Sequence, residues 1–88
     1  RRVGIVLLEE LKELEDLAHV KEVRGIGMVF GIEFTRPIAD AVIDGCLDRG
    51  VLVAAASDRI LFFSPPLCLS VKEAKEGARL IKEACAEK

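Results

Sequence analysis

The first half of the chain shows two different hydrophobic periods. From residue 3 to about residue 17, apolar residues recur at spacings of three and four, which predicts an amphipathic helix. The predicted stripe comprises Leu7, Leu11, Leu14 and Ala18, widened by Leu8 and Leu17. His19 follows directly, where an imidazole can face the negative end of the helix dipole.

Residues 23–34 then alternate with a period of two, which predicts a single strand. The even positions from 26 to 34 are all large and apolar, whereas Gly25, Gly27 and Gly31 stand at odd positions. Glycine along one face removes the side chains there, so we expect another group to approach that face closely.

A second helix is predicted from about residue 37 to residue 49. Pro37 suits a first helical turn, and Gly50 follows as the expected glycine just beyond the helix end. Two apolar rows would face inward and one acidic row outward: Ile38, Val42 and Cys46; Ala39, Ile43 and Leu47; and Asp40, Asp44 and Asp48.

The last third predicts two strands and a closing helix. The strands are residues 51–53 and 60–63, with Ser57 and Asp58 as the turn, and Pro65 and Pro66 end the second strand. Ser70-Val71-Lys72-Glu73 matches a capping box. The stripe that follows consists of Val71, Ala74, Ala78, Ile81 and Cys85.

These elements predict an α+β fold in the order α-β-α-β-β-α. We expect a small, mainly antiparallel, three-stranded sheet covered by helices. A chain of 88 residues forms one domain, residues 1–88.

Composition excludes several classes of protein. A hydrophobic fraction of 51% with a net charge of −2 argues against disorder, and interspersed charges argue against a nucleic-acid partner. The longest apolar runs fall far below the roughly 20 residues that span a bilayer, so we expect no membrane partner. Three cysteines without a Cys-x-x-Cys pair predict no metal site and favour a reducing, cytoplasmic setting.

Few residues point to chemistry on their own. The series Gly25-x-Gly27-x-x-x-Gly31 departs from the dinucleotide-binding fingerprint, because Phe30 stands where the third glycine belongs. His19 is the sole histidine, which favours a surface or capping role. Arg24 and Arg59 could each bind a carboxylate, although a solvated strand-end arginine is the favoured alternative. We identify no catalytic, cofactor-binding or metal-binding residue.

Three motifs in order resemble one family. Val23-Arg24-Gly25-x-Gly27-x-x-x-Gly31-x-Glu33, Gly50-Val51-Leu52 and Pro65-Pro66-Leu67 are similar to the C-terminal small domain of class III, fold-type I pyridoxal-phosphate aminotransferases. The residues that carry the resemblance are Arg24, Gly25, Gly27, Gly31, Glu33, Gly50, Pro65 and Pro66. The similarity extends over essentially the whole chain.

The resemblance implies a parent enzyme that transfers an amino group from an amine or amino acid to a 2-oxo acid. In that family the Schiff-base lysine and the phosphate-binding residues belong to a large domain. None of the lysines here matches the Schiff-base position: Lys12, Lys21, Lys72, Lys75, Lys82 and Lys88. We therefore expect this chain alone to be inert and to bind no pyridoxal phosphate, with the large domain as its partner.

One departure from the family concerns substrate recognition. The ornithine and acetylornithine branch usually carries an arginine three residues before the first proline of the pair, where this chain has Phe62. Other branches place a basic residue where Ala54 and Ala55 stand, and Arg59 is the nearest substitute, a candidate for binding a substrate carboxylate. The resemblance therefore disfavours an ornithine-type substrate.

A different class of function stays open. The chain could be a stand-alone α+β binding or dimerisation module without enzymatic activity. On either interpretation we expect a homo-oligomer, since an exposed strand edge and apolar surface favour self-association.

Overall fold

The computed structural model describes residues 2–26, 29–51, 53–64 and 70–87. It confirms an α+β fold, with one antiparallel sheet and helices packed against it. The elements are α1 (Arg2–Lys12), a short 3-10 helix (Glu13–Asp16), β1 (Val20–Ile26), β2 (Val29–Phe34), α2 (Ala39–Asp48), β3 (Ala54–Ser57), β4 (Ile60–Phe63) and α3 (Val71–Ala86).

The sheet has four strands in the order β1-β2-β4-β3, so the prediction of three strands is wrong. The segment predicted as one strand is a hairpin, in which Ile26 pairs with Val29 and Gly25 with Phe30. Across the hairpin, an even-numbered residue of β1 therefore lies on the same face of the sheet as an odd-numbered residue of β2. The expected glycine face does not exist, because the chain reversal places Gly25 and Gly31 on opposite faces of the sheet.

An irregularity in β1 explains how two valines three residues apart both reach the core. The register shifts between Val20 and Glu22, so Lys21 is an extra residue against β2. In a regular strand, Val20 and Val23 would face opposite sides of the sheet. With the bulge, both side chains are buried.

The first helix is shorter than predicted, because the chain tightens into the 3-10 helix after Lys12. Leu7, Leu11 and Leu14 are buried as expected, whereas Ala18 is exposed. His19 does meet a helix end, although not that of α1. Its Nε2 lies 2.7 Å from the carbonyl oxygen of Cys85 in the last turn of α3, where the ring nitrogen donates to the carbonyl.

The second helix begins two residues later than predicted, and its acidic row is exposed as expected. Gly50 has φ of +80°, which confirms it as the left-handed residue after the helix. Leu47 was assigned to an inward row but is exposed, because the buried side of α2 consists of Ala39, Val42, Gly45 and Cys46.

The strand predicted at residues 51–53 is displaced. Val51 and Val53 lie before β3, Leu52 lies outside the described residues, and pairing begins at Ala54. The turn of the β3–β4 hairpin falls at Asp58 and Arg59, one residue later than predicted. Strand β4 has the predicted bounds.

The capping box of α3 is confirmed in both directions. The Glu73 backbone N–H donates to Ser70 Oγ at 3.1 Å, and the Ser70 backbone N–H donates to Glu73 Oε1 at 3.0 Å. The bond from the Ser70 backbone N–H, followed by the interaction of the Ser70 side chain with the carboxylate, lowers the pKa of Glu73. The predicted α3 stripe is buried except for Val71, which is half-buried.

Helix α3 is tied to both other helices. Lys82 Nζ lies 2.9 Å from Glu10 Oε1 and 2.9 Å from Glu13 Oε1, which joins α3 to the N-terminal segment. Arg49 binds Glu83 and Glu87 and holds α3 beside the end of α2. At the crossing of α2 and α3, a Cβ built on Gly45 would lie 3.2 Å from Ala84 Cβ, so the glycine permits this close approach.

Two cysteines belong to the core, as predicted for cysteines in apolar segments. Cys46 and Cys85 are free and buried. Burial raises the pKa of Cys46 despite the opposing effect of Arg49, and burial, followed by the charge of Cys46, raises that of Cys85 to about 12. Both thiols therefore act as small apolar side chains. Cys68 lies outside the described residues.

Candidate functional site

The two faces of the sheet have different environments. One face carries Phe30, Ile32, Phe34, Leu61 and Phe63, which are buried in the core shared with the helices. We call the opposite side the open face; it comprises Glu22, Arg24, Val29, Gly31, Glu33, Ile60 and Phe62. These residues, with the backbone of Gly25, line a groove of about 500 Å³.

The centre of the open face is a row of paired residues. Arg24 pairs with Gly31, Gly31 with Phe62, and Phe62 with Ala54. A Cβ built on Gly31 would lie 3.2 Å from Phe62 Cε1, so the Phe62 ring lies against the glycine. Phe62 is nevertheless 45% exposed to solvent. Gly31 therefore provides the flat surface on which an exposed aromatic ring rests.

Charged side chains border this apolar centre. Arg24 Nη2 lies 3.4 Å from Glu33 Oε1, and Arg24 Nε lies 3.4 Å from Glu22 Oε2. Lys21 Nζ approaches Glu33 Oε2 at 3.8 Å. Two cations thus face two carboxylates, so this border has no net charge. Arg24 and Glu33, two motif residues from the sequence, meet here as an ion pair.

The two edges of the sheet are protected to different degrees. At the β1 edge, the Val23 backbone N–H donates to Glu15 Oε2 at 2.8 Å. This bond, followed by the contact with Lys12, lowers the pKa of Glu15. Charged residues and the bulge also protect that edge. Strand β3, at the other edge, has the sequence Ala-Ala-Ala-Ser and is exposed at every residue.

Arg59, the candidate for a substrate carboxylate, lies apart from the groove. Its Nη1 donates to the Thr35 carbonyl at 2.6 Å, and its own carbonyl accepts from the Phe34 N–H at 2.7 Å. The arginine thereby joins the β3–β4 turn to the end of β2. A carboxylate-binding role for Arg59 stays a prediction. The predicted residues Gly27, Pro65 and Pro66 lie outside the described residues.

The described residues do not fit a pyridoxal-phosphate site. That cofactor requires a lysine amine for its aldehyde and donors for its phosphate. Lys12, Lys21 and Lys82 are each ion-paired with glutamates, and no described lysine lines the groove. Among the described residues there is also no group of acidic, histidine or cysteine side chains suited to a metal ion. None of the described helices is long and apolar enough to cross a bilayer.

Sequence reasoning did not find the open face, because it depends on the hairpin between β1 and β2. A glycine between two hydrophobic runs is a signal for a hairpin loop, and Gly27 stands between such runs. Reading residues 23–34 as one strand concealed this signal. With the hairpin in place, Phe62 and Gly31 fall in one row.

Comparison with known proteins now assigns the fold and motifs to a class. The model of the aminotransferase class-III family matches residues 1–85. The chain therefore belongs to the class III aminotransferase family, as the Val-Arg-Gly motif series indicated.

Individual relatives match nearly all of this chain but only part of their own length. Acetylornithine aminotransferase of Haemophilus ducreyi is 32% identical over 77 residues, covering 86% of this chain and 19% of that protein. Ornithine aminotransferase of Plasmodium falciparum is 33% identical over 84 residues, covering 91% of this chain and 20% of that protein. A solved transaminase obtained by ancestral reconstruction matches with a TM-score of 0.90 and 33% identity, over 98% of this chain and 22% of that one. The chain spans about a fifth of the length of the relatives it matches.

Proposed function

We propose that these 88 residues form the C-terminal small domain of a class III aminotransferase. The parent enzyme would transfer an amino group from an amine or amino acid to a 2-oxo acid. The observation that carries the proposal is the family match over residues 1–85, in a chain about one fifth as long as its relatives. A complete aminotransferase fold needs the other four fifths, so this chain supplies one part of it.

The cofactor chemistry would reside outside these residues. The family implies pyridoxal phosphate in the parent enzyme, where it supplies the electron sink for amino transfer. The described lysines are in ion pairs or exposed on α3, and none of them lines the groove, so the described residues offer no amine for the cofactor's aldehyde there. On this proposal the large domain holds the cofactor, and the chain alone is inert.

The small domain would contribute architecture. Its partner would be the large domain, and the parent would be a cytoplasmic homo-oligomer. The buried core and the ties among α1, α2 and α3 give a rigid unit that can be carried on a larger domain. Phe62, in the position of the arginine of the ornithine branch, favours a parent whose substrate lacks the carboxylate which that arginine would bind.

The natural protein that contains these residues tests the proposal. We expect a polypeptide about five times as long, which takes up pyridoxal phosphate and transfers an amino group to a 2-oxo acid. The matched control is the 88-residue chain. It should give neither amino transfer nor a cofactor absorbance band that borohydride removes.

A stand-alone module is the second candidate, and the exposed edge of β3 favours it. An uncharged strand edge can pair with a strand of another molecule. A natural protein limited to these residues, without aminotransferase activity, would replace the first proposal with this one.

A further inference from the structure

We propose that Cys46 and Cys85 form an oxidisable dithiol at the crossing of α2 and α3, which the last turn of α3 closes off from solvent. When that turn opens, a low-molecular-weight disulfide such as oxidised glutathione converts the two thiols into an intramolecular disulfide. This modification site goes beyond the proposed function and is independent of it, because it depends only on contacts among the described residues.

Helices α2 and α3 approach each other closely at the residues that directly precede the two cysteines. A Cβ built on Gly45 would lie 3.2 Å from Ala84 Cβ and 3.7 Å from Ala84 Cα. Packed helix axes usually lie about 8–10 Å apart, and glycine at the contact allows a shorter separation. Since bonded cysteines have Cβ atoms about 3.5–4.5 Å apart, backbones this close are within the reach of a disulfide.

Cys46 and Cys85 face the same side of this crossing. Each follows a contact residue by one position, and each is completely buried in the core between the helices and the sheet. The charge of a Cys46 thiolate would raise the pKa of Cys85, so the two side chains interact across that core. The fold thus brings together two thiols that lie far apart in the sequence.

Contacts from two other elements hold the last turn of α3 over this pair. His19, just before β1, donates from Nε2 to the Cys85 carbonyl oxygen at 2.7 Å. Arg49, at the end of α2, reaches Glu83 Oε1 at 3.5 Å and also binds Glu87. Helix ends open more readily than helix centres, so these contacts determine how often the thiols meet solvent.

The reaction is a pair of thiol–disulfide exchanges. While the turn is closed, burial raises the pKa of both thiols, so they stay protonated. After opening, one cysteine gives its proton to water, and its thiolate attacks a sulfur of the small disulfide and expels one thiolate. The second cysteine then loses its proton and attacks the mixed disulfide, which expels the other thiolate. Both expelled thiolates take up the protons, so two cysteines are oxidised and one small disulfide is reduced to two thiols.

Peptide mass spectrometry of the natural protein that contains these residues can identify the bond. Trypsin cleaves after lysine and arginine except before Pro37, which places Cys46 in residues 25–49, Cys68 in residues 60–72 and Cys85 in residues 83–88. The protein is incubated with oxidised glutathione, the remaining thiols are alkylated, and the digest is analysed without a reductant. Each of the three cysteines is therefore assigned separately.

Two variants open the last turn of α3, and one variant is the matched control. Arg49→Met removes the contacts with Glu83 and Glu87, and His19→Ala removes the bond to the Cys85 carbonyl without changing the charge beside Cys46. Arg79→Met also deprives Glu83 of an arginine, but Arg79 lies on α3 itself and does not join the helices. Circular dichroism checks that each variant is folded.

We expect residues 25–49 joined to residues 83–88 as the main oxidised product, and dithiothreitol should reverse the bond. The bond should form at least about 10-fold faster in Arg49→Met and His19→Ala, because the turn opens more often, and within about twofold of the parent rate in Arg79→Met. Once formed, it should slow hydrogen exchange of the amides of residues 83–87 at least about 10-fold, because it ties the turn to α2.

Three results would overturn the inference. Separate glutathione adducts on Cys46 and Cys85, without a bond between them, would show that the two side chains cannot meet. A bond from either of them to Cys68 as the main product would assign the oxidisable pair elsewhere. Equal rates in the opening variants and in Arg79→Met would show that oxidation follows unfolding of the whole domain. Amino transfer, whether present or absent, bears only on the proposed function.

Discussion

Two glycine–phenylalanine pairs, one on each face of the sheet, make the same local contact in different surroundings. On the covered face, Gly25 pairs with Phe30, which is 1% exposed. On the open face, Gly31 pairs with Phe62, which is 45% exposed. In both pairs the phenylalanine ring lies in close contact with the position that a Cβ on the glycine would occupy. The comparison shows that the same contact is buried in the core on one face and leaves an exposed aromatic ring on the other.

The difference arises from what lies behind each ring. A Cβ on Gly25 would lie 2.9 Å from Phe30 Cδ1 and 3.2 Å from Leu8 Cδ1, so helix α1 closes that site. Among the described residues, a Cβ on Gly31 would meet only the Phe62 ring, at 3.2 and 3.4 Å. The first ring is confined by the core, whereas the second can move into solvent.

Truncating the two rings should give the largest difference in stability. Phe30→Ala opens a cavity in the core and should lower the free energy of unfolding by about 3–5 kcal/mol. Phe62→Ala removes a half-exposed ring and should cost about 1 kcal/mol or less, because little buried area is lost. Urea denaturation of both variants, followed by circular dichroism, measures the difference.

The slope of unfolding against urea serves as the control. An unchanged slope shows that a variant exposes the same surface on unfolding. If Phe62→Ala were as destabilising as Phe30→Ala in the 88-residue chain, the Phe62 ring would belong to the core of that chain.

Adding a methyl group at each glycine should give an intermediate effect. Gly25→Ala forces a confined ring and Leu8 to shift, and should cost about 1–3 kcal/mol by overpacking. Gly31→Ala displaces a ring that can turn outward, and we expect a change within about 0.5 kcal/mol because alanine also restricts the unfolded chain. Thermal unfolding of the two variants, compared with the parent sequence, provides the test. Equal losses would contradict the assignment of the glycines to opposite faces.

Removing one cation from the helical side of the molecule and one from the open face should give the smallest difference in stability. Lys82→Met breaks the tie between α3 and the segment that contains Glu10 and Glu13, and should cost about 1 kcal/mol near neutral pH. Arg24→Met removes the more exposed cation of the open face and should change stability by less than about 0.5 kcal/mol. Denaturation at neutral pH ranks the two variants.

The effect of Lys82→Met should depend on pH. The hydrogen bond from Lys82 lowers the pKa of Glu10 from its ordinary 4.5, so this contribution is complete above that value and is lost as pH falls through the folded pKa. Desolvation alone would lower the pKa of Lys82, but the bonds and charges of Glu10 and Glu13 outweigh it and raise the pKa from 10.5. The contribution of Lys82 is therefore complete below 10.5 and is lost as pH rises through the folded pKa.

The variant and the parent sequence should thus differ most between pH 4.5 and 10.5. The difference should shrink by about pH 3, where the carboxylates become protonated. An equal difference at neutral and acidic pH would show that Lys82 acts through the packing of its alkyl chain.

Elements with local signals were predictable from the sequence. The capping box fixed the start of α3, Gly50 marked the end of α2, and the prolines bounded β4 at its correct residues. Each signal depends on hydrogen bonds or backbone angles within a few residues, so no distant partner is required.

Other features needed partners from distant parts of the chain. His19 meets the carbonyl of Cys85, which is 66 positions away, so no local pattern could identify the helix that it caps. Leu47 continues an apolar row in sequence, yet it is exposed because α3 meets α2 on the side of Gly45 and Cys46.

By itself, the sequence determined the α+β class, the three helices and the resemblance to class III aminotransferases, because periodicity and motif spacing are properties of the linear chain. Only the tertiary structure decided that the glycines serve opposite faces and that Phe62 lies exposed on the open one. The physical reason is the chain reversal between Ile26 and Val29, which exchanges the faces of odd and even positions. Side-chain identity specified the glycine–phenylalanine contacts, and strand pairing decided which of them would be buried.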